Sequence, residues 1–250
     1  VRIEPVPVLE DNVAWVVVGH GGRAAVVDPG EAGPVREALA RLGAEPAAVL
    51  LTHHHADHTA GASELGVPVY GPTRAAGVTR GLAGGERLGA AEAGVSLEVL
   101  HVPGHTRDHL AYAGKGFVAT GDTLFAAGCG RLFEGTPAEL LASLDRIAAL
   151  PPETLVLCGH EYTLANLRFA ATVEPGNAAV ASRLERTRAL HAAGRLAVPS
   201  TLAEELATNP FLRVDVAGVR AAAGRRAGRP LAARTEVLAV LRAWKDQFPG

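Results

Sequence analysis

Only two cysteines, Cys129 and Cys158, occur in this chain of 250 residues. So sparse a supply argues against a disulfide framework and makes a reducing cytosol the expected compartment. Long apolar runs are missing too. The longest early candidate, residues 13–18, is the size of a strand and falls far short of the ~20 apolar residues that cross a bilayer. The first nine residues show no charged stretch followed by an extended apolar one, so neither a signal segment nor a membrane partner is expected. Charge of one sign is also lacking: 24 basic side chains face 26 acidic ones, a formal charge of −2. A nucleic-acid partner would ask for a basic field. A small acidic ligand needs only a local basic pocket and stays compatible. No repeat of solenoid length is present. With 48% apolar residues, a chain of this length buries a substantial core unaided.

What is there begins as strands. Residues 6–9, 13–18 and 24–27 are apolar and β-branched, separated by Asp11-Asn12 and by Gly19-His20-Gly21-Gly22. A helix is predicted over 34–42, then strands over 49–51, 67–70, 96–102, 110–112, 117–119 and 155–157. Thr136-Pro137-Ala138-Glu139 has the form of a helix start, with a capping Thr, Pro at the first position and Glu placed to complete a capping box. Beyond Tyr162 strand signals vanish. Helical spacing takes over at 164–172, 178–193, 202–207 and 235–248. The expectation is therefore α+β: two packed sheets with helices outside, followed by an all-helical part.

The strongest chemical signal is Thr52-His53-His54-His55-Ala56-Asp57-His58. Four of the ten histidines fall in this stretch. In an extended segment His53 and His55 share a face and His54 points away. A turn into a helix near Asp57 brings Asp57 and His58 back toward the same point, and Gly61 permits close packing there. Three further ligand-type residues, His105, Asp122 and His160, each follow an apolar strand and an immediately preceding glycine. Rigid scaffolds present functional side chains at such strand-end turns. Imidazole with carboxylate suits zinc, iron or manganese. The remaining histidines read as structural (His54, His101, His109) or as surface residues (His20, His191). Cys158, two residues from His160, reads as a small packing residue rather than a nucleophile.

His-x-His-x-Asp-His followed by an isolated His, an Asp and a last His resembles the metallo-β-lactamase superfamily. The resemblance implies an αββα sandwich with a C-terminal all-helical substrate domain, divided here as 1–163 and 164–250. It also implies two divalent metal ions, zinc, iron or manganese. His53, His55 and His105 would hold one, Asp57, His58 and His160 the other, with Asp122 shared and Asp28 standing behind the ligands. Asp57 and Asp122 would be the carboxylates closest to the chemistry, in which a hydroxide shared by the metals attacks a carbonyl.

Four features resemble the hydroxyacylglutathione hydrolases (glyoxalase II) within that superfamily. Only 37 residues separate Asp122 from His160, too few for an inserted nuclease domain. Gly128-Cys129-Gly130-Arg131-Leu132-Phe133-Glu134-Gly135-Thr136 is similar to that family's substrate loop, with Arg131 as its basic residue and Phe133 in place of a tyrosine. Tyr162 matches a second substrate tyrosine. Thr208-Asn209-Pro210-Phe211 matches the helical signature, and Arg242 with Lys245, three apart on one helix face, matches the pair that binds glutathione carboxylates. The resemblance implies hydrolysis of S-(2-hydroxyacyl)glutathione, S-lactoylglutathione above all. A glutathione persulfide dioxygenase, or another thioesterase or lactonase of the same fold, is the alternative.

Overall fold

A computed structural model describes residues 1–249. It divides into two compact units whose boundaries do not follow chain order. The first comprises residues 1–102, 108–122 and 157–160, the second 103–107, 123–156 and 161–250.

In the first unit, β1 (Arg2–Val8), β2 (Asn12–Val18) and β3 (Arg23–Val27) form an antiparallel meander. Helix α1 (Ala32–Leu42) crosses to β4 (Glu45–Leu50), which runs parallel to β3. After α2 (Ala56–Thr59), the short strands β5 (Val69–Gly71) and β6 (Arg80–Gly81) extend the parallel part, giving a six-stranded sheet in chain order. To the second sheet, also six-stranded, this unit contributes β7 (Arg87–Leu88), β8 (Leu97–His101), β9 (Leu110–Gly114) and β10 (Phe117–Gly121), paired antiparallel in that order, with α3 (Ala90–Ala93) between the first two.

The residues of β2, Asn-Val-Ala-Trp-Val-Val-Val, are almost continuously apolar because both faces of this strand are covered. Val16 joins Val26, Val49, Val35 and Leu39 in the core beneath α1. On the opposite face the buried Trp15 donates its indole N–H to the carbonyl of Cys158 over 2.9 Å. The Tyr112 hydroxyl likewise reaches the Leu51 carbonyl at 2.6 Å. Large apolar side chains thus fill the space between sheets, and their polar tips close on strand-end backbone.

The second unit holds the hairpin β11 (Leu124–Phe125) and β12 (Gly128–Cys129), helix α4 (Pro137–Ala148), and the start of β13 (Leu155–Cys158), which ends in the first unit. Thr136 and Glu139 form the predicted capping box of α4. The remaining elements are α5 (Thr163–Val173), α6 (Ala178–Ala192), β14 (Ser200–Thr201), α7 (Leu202–Thr208), α8 (Ala217–Ala227) and α9 (Arg234–Asp246). Two of these depart from the sequence expectation. β14 is a two-residue strand paired with Leu155 and Val156. α8 had no periodic signal because only Val219, Ala222 and Ala223 of its eleven residues are buried.

A buried ionic network fixes the helices of this unit. Arg183 donates to Glu205 and to Thr208, each at 2.6 Å, while Glu205 accepts from the Ala127 amide and from Asn209. Asn209 also donates to the carbonyls of Phe125 and Gly128 and accepts from the Phe211 amide. This explains the Asn-Pro-Phe segment physically. Asn209 satisfies the backbone of the 125–128 turn, which would otherwise be buried without partners. The Phe211 ring stacks on Phe169.

Candidate metal centre and substrate loop

Strand β4 delivers the histidine cluster. Where it ends, the Thr52 amide and hydroxyl donate to the two oxygens of Asp28, at 2.8 and 2.7 Å. Asp28 adopts the left-handed region (φ 49°), a conformation held by these bonds. With its own proton given to Asp28, the Thr52 hydroxyl accepts from His53 Nδ1 at 3.0 Å. That leaves the His53 Nε2 lone pair facing His55 Nδ1, 3.0 Å away. His54 turns aside, its Nδ1 3.6 Å from Asp108.

The chain then enters α2, as its spacing predicts, and packs tightly there. A Cβ on Gly61 would lie 2.5 Å from the Ala32 amide nitrogen. His58, 1% exposed, places Nδ1 3.1 Å from Asp28. Its Nε2 lies 3.3 Å from His160 Nε2, 3.3 Å from Asp57 and 3.4 Å from Asp122 Oδ1. His160 Nε2 in turn lies 3.4 Å from Asp57 and 3.5 Å from Asp122 Oδ2. Asp57, His58 and His160 therefore offer three ligand atoms within 4.8 Å of one another. Asp122 addresses His58 and His160 through separate oxygens, and its backbone amide is held by His109 Nε2 at 3.2 Å. The glycines before the ligands are required by crowding. A Cβ on Gly159 would meet Asp122 Oδ1 at 2.6 Å and His58 at 2.7 Å, and Gly121 (φ 47°) lies against Thr52 and His109.

Electrostatics follow from the burial of unlike charges. Burial alone would push both imidazoles down. For His160 the carboxylates of Asp122 and Asp57 outweigh it and lift the ring to about 10. Asp122 and Asp28 likewise raise His58. Hydrogen bonds from His160 and His58 depress Asp57 far below the usual carboxylate range. Burial, with the neighbouring His54 imidazole, lowers His55. The buried carboxylates that favour positive charge on these rings would equally favour a dication. Buried imidazoles and carboxylates converging on common points are the donors of a divalent-metal centre.

Two residues that spacing did not single out support this set. Asp11 Oδ1 lies 2.8 Å from His160 Nδ1, and Asn12 donates to Asp57 Oδ2 at 2.9 Å. In the sequence both looked like ordinary turn residues.

His105 lies in the 103–107 excursion that belongs to the second unit. Its Nδ1 donates to the Arg131 carbonyl at 2.9 Å, which fixes the ring proton on that nitrogen. Around it lies the substrate loop of the sequence reading. Phe133 is 63% exposed and contacts the His105 ring edge-on, with centroids 5.2 Å apart. The Arg131 side chain is exposed, its Nε 3.5 Å from Asp246. Tyr162 precedes α5 with its ring against Phe125.

Arg242 and Lys245 of α9 share a face, as spacing requires, but differ in burial. Arg242 is 6% exposed and donates to the Cys129 carbonyl at 2.6 Å and to Asp246 at 3.0 Å. Lys245 is half-buried. Burial, together with the cations of Arg242 and Arg131, lowers its pKa. Among the described residues, no helix is long and apolar enough to cross a membrane.

The chain is similar to known proteins over nearly its whole length. The metallo-beta-lactamase superfamily matches residues 8–66 and 77–160. The hydroxyacylglutathione hydrolase C-terminus matches residues 161–248. A hydroxyacylglutathione hydrolase of Xanthomonas campestris pv. campestris (strain B100) is 49% identical, covering 99% of both chains. That of Alkalilimnicola ehrlichii is 50% identical over 98% of this chain and 99% of its own. Among solved structures, TTHA1623 in a di-iron-bound form is 29% identical, with a TM-score of 0.59 over 84% of this chain and 100% of that one.

Proposed function

Since the chain belongs to the hydroxyacylglutathione hydrolase family of the metallo-beta-lactamase superfamily, we propose that it hydrolyses S-(2-hydroxyacyl)glutathione, S-lactoylglutathione among them, to a 2-hydroxy acid and glutathione. The observation that carries this reading is the convergence of His58 and His160 on Asp57 and Asp122 in a chain similar to those hydrolases over nearly its whole length.

The division of labour places metal ligation in residues 1–163 and glutathione binding chiefly in 164–250. His53, His55 and His105 would hold one divalent ion and Asp57, His58 and His160 a second, with Asp122 available to both and zinc, iron or manganese as the candidates. Bound metals of this kind supply Lewis acidity and acidify a water toward a pKa of roughly 7.

The protein's own groups do the rest. Asp57, held ionised by the His160 and His58 hydrogen bonds, would serve chiefly as a ligating carboxylate beside the reacting acyl group. Asp28 and Asp11 hold the His58 and His160 rings through Nδ1, with Nε2 turned inward. Lys245 and Arg131 supply positive charge for the two carboxylates of glutathione, and Arg242 adds to that field from within. Tyr162 and Phe133 flank the thiol arm. Binding energy from this remote arm positions the carbonyl. The glutathione thiolate leaves readily, because a thiol pKa near 8.5 demands little acid assistance. The two buried cysteines, neither in a disulfide, suit a reducing cytosol.

The test compares S-lactoylglutathione with the lactoyl thioester of a small thiol that lacks carboxylates. We expect kcat/KM to fall at least tenfold on the small thioester, and the Arg131→Ala, Lys245→Ala variant to lose most of that preference. Equal kcat/KM on both substrates contradicts the glutathione assignment.

A further inference from the structure

The imidazoles of the two ligand sets are not backed in the same way. His53 leans on the Thr52 hydroxyl, and His105 on a backbone carbonyl. Both His58 and His160 lean on carboxylates, Asp28 at 3.1 Å and Asp11 at 2.8 Å. Asp28 reaches both sets, because it also anchors Thr52. Asp11 and its neighbour Asn12 act on His160 and Asp57, two members of one set.

The fold brings this turn to the site by backbone pairing. Asn12 opens β2 and bridges His160 in antiparallel fashion, and the Val13 amide donates to the Gly159 carbonyl at 2.8 Å. The turn is thus clamped to the end of β13. Asp11 is about two-fifths exposed, yet its Oδ1 is aimed at Nδ1 of a ring that is only 5% exposed. An ionised carboxylate only accepts, so Nδ1 carries a proton and donates to Asp11, and Nε2, the nitrogen turned toward Asp57 and Asp122, is the one that would bind a metal in place of its own proton. A carboxylate behind a ligating imidazole fixes its tautomer and orientation and raises its basicity.

We infer that Asp11 is a positioning residue for the second metal position, setting the affinity of the Asp57, His58 and His160 set independently of the His53, His55 and His105 set. The inference rests on the two-metal reading above. Asn12 complements Asp11 by holding the Asp57 carboxylate, so a single two-residue turn orients two of the three ligands.

The experiment titrates metal-loaded full-length protein with a competing chelator and counts zinc per chain by elemental analysis, for wild type, Asp11→Asn and Asp11→Glu. Asparagine keeps the size of the side chain but presents a neutral amide. We expect one zinc to be retained as in wild type and the other to bind 10- to 100-fold more weakly in Asp11→Asn. Asp11→Glu restores part of the lost affinity, because a carboxylate returns. Thermal unfolding of the metal-free proteins is expected to be unchanged. Equal weakening of both zinc ions, or no weakening of either, overturns the inference while leaving the two-metal reading intact. A wild-type protein that binds fewer than two zinc ions overturns both.

Discussion

The guanidinium of Arg242 donates to the backbone carbonyl of Cys129 over 2.6 Å, tying α9 to the loop that carries Arg131. Arg242 is therefore a brace as well as a cation. Its removal leaves the Cys129 carbonyl without this charged donor, in a buried setting. Arg242→Ala is predicted to cost about 1.5–3 kcal/mol of stability and to raise KM for S-lactoylglutathione. Lys245→Ala, at a half-buried position, raises KM with a stability change within about 0.5 kcal/mol. Urea unfolding beside steady-state kinetics separates the two, and equal stability losses count against the distinction.

The start of α9 gives a pH signature. Glu236 accepts from the Ala233 and Ala232 amides, each at 3.0 Å, and pairs with Arg229. The Ala233 amide foremost, then Arg229 and the Ala232 amide, lower its pKa to about 2. A depressed carboxylate stabilises the fold fully above its unfolded pKa, near 4.5, and loses that contribution as pH falls through about 2. The stability gap between wild type and Glu236→Gln should be constant above pH 5 and narrow below pH 4.5. Unfolding curves at a series of pH values read this directly, and a gap that widens on acidification contradicts it.

Neither cysteine should react in the folded protein. Cys129 and Cys158 are buried, and burial pushes the Cys129 thiol up to about 11 despite the adjacent Arg242. At pH 8 only about one Cys129 in a thousand is thiolate. A thiol reagent added to native protein is expected to label neither residue within the time that labels both in denaturant. Rapid native labelling with retained activity would remove the packing role assigned to them.

Crowding around Asp122 makes the centre sensitive to one methyl group. A Cβ at position 159 would overlap Asp122 and His58, so Gly159→Ala should reduce bound metal although it alters no ligand. Asp122→Ala should lose both metals. Elemental analysis of the two variants checks this, and full metal content in Asp122→Ala contradicts its shared role.

The clustering of the histidines and aspartates was legible in the sequence because its pattern is local. His-x-His just past the end of a strand and Asp-His at the following turn carry their geometry in their spacing, and His105, Asp122 and His160 each follow a strand and a glycine. What lay behind the ligands was not legible. Asp11 and His160 stand 149 positions apart, and nothing in an Asp-Asn turn announces which imidazole it will meet. The same limit applied to Arg242. Helical spacing put it on a face with Lys245, but only the fold shows that the face turns inward at Arg242, toward a carbonyl 113 residues away. Helix α8 went unread because Ala, Gly and Arg bury too little to leave a period.

The most direct measurement adds zinc, iron or manganese in counted equivalents to chelated protein and follows thiol release from S-lactoylglutathione. We predict no release without metal and a rate that reaches its plateau at two equivalents per chain. Full activity in the metal-free protein, or none with two ions bound, would contradict the assignment of this chain as a two-metal thioester hydrolase.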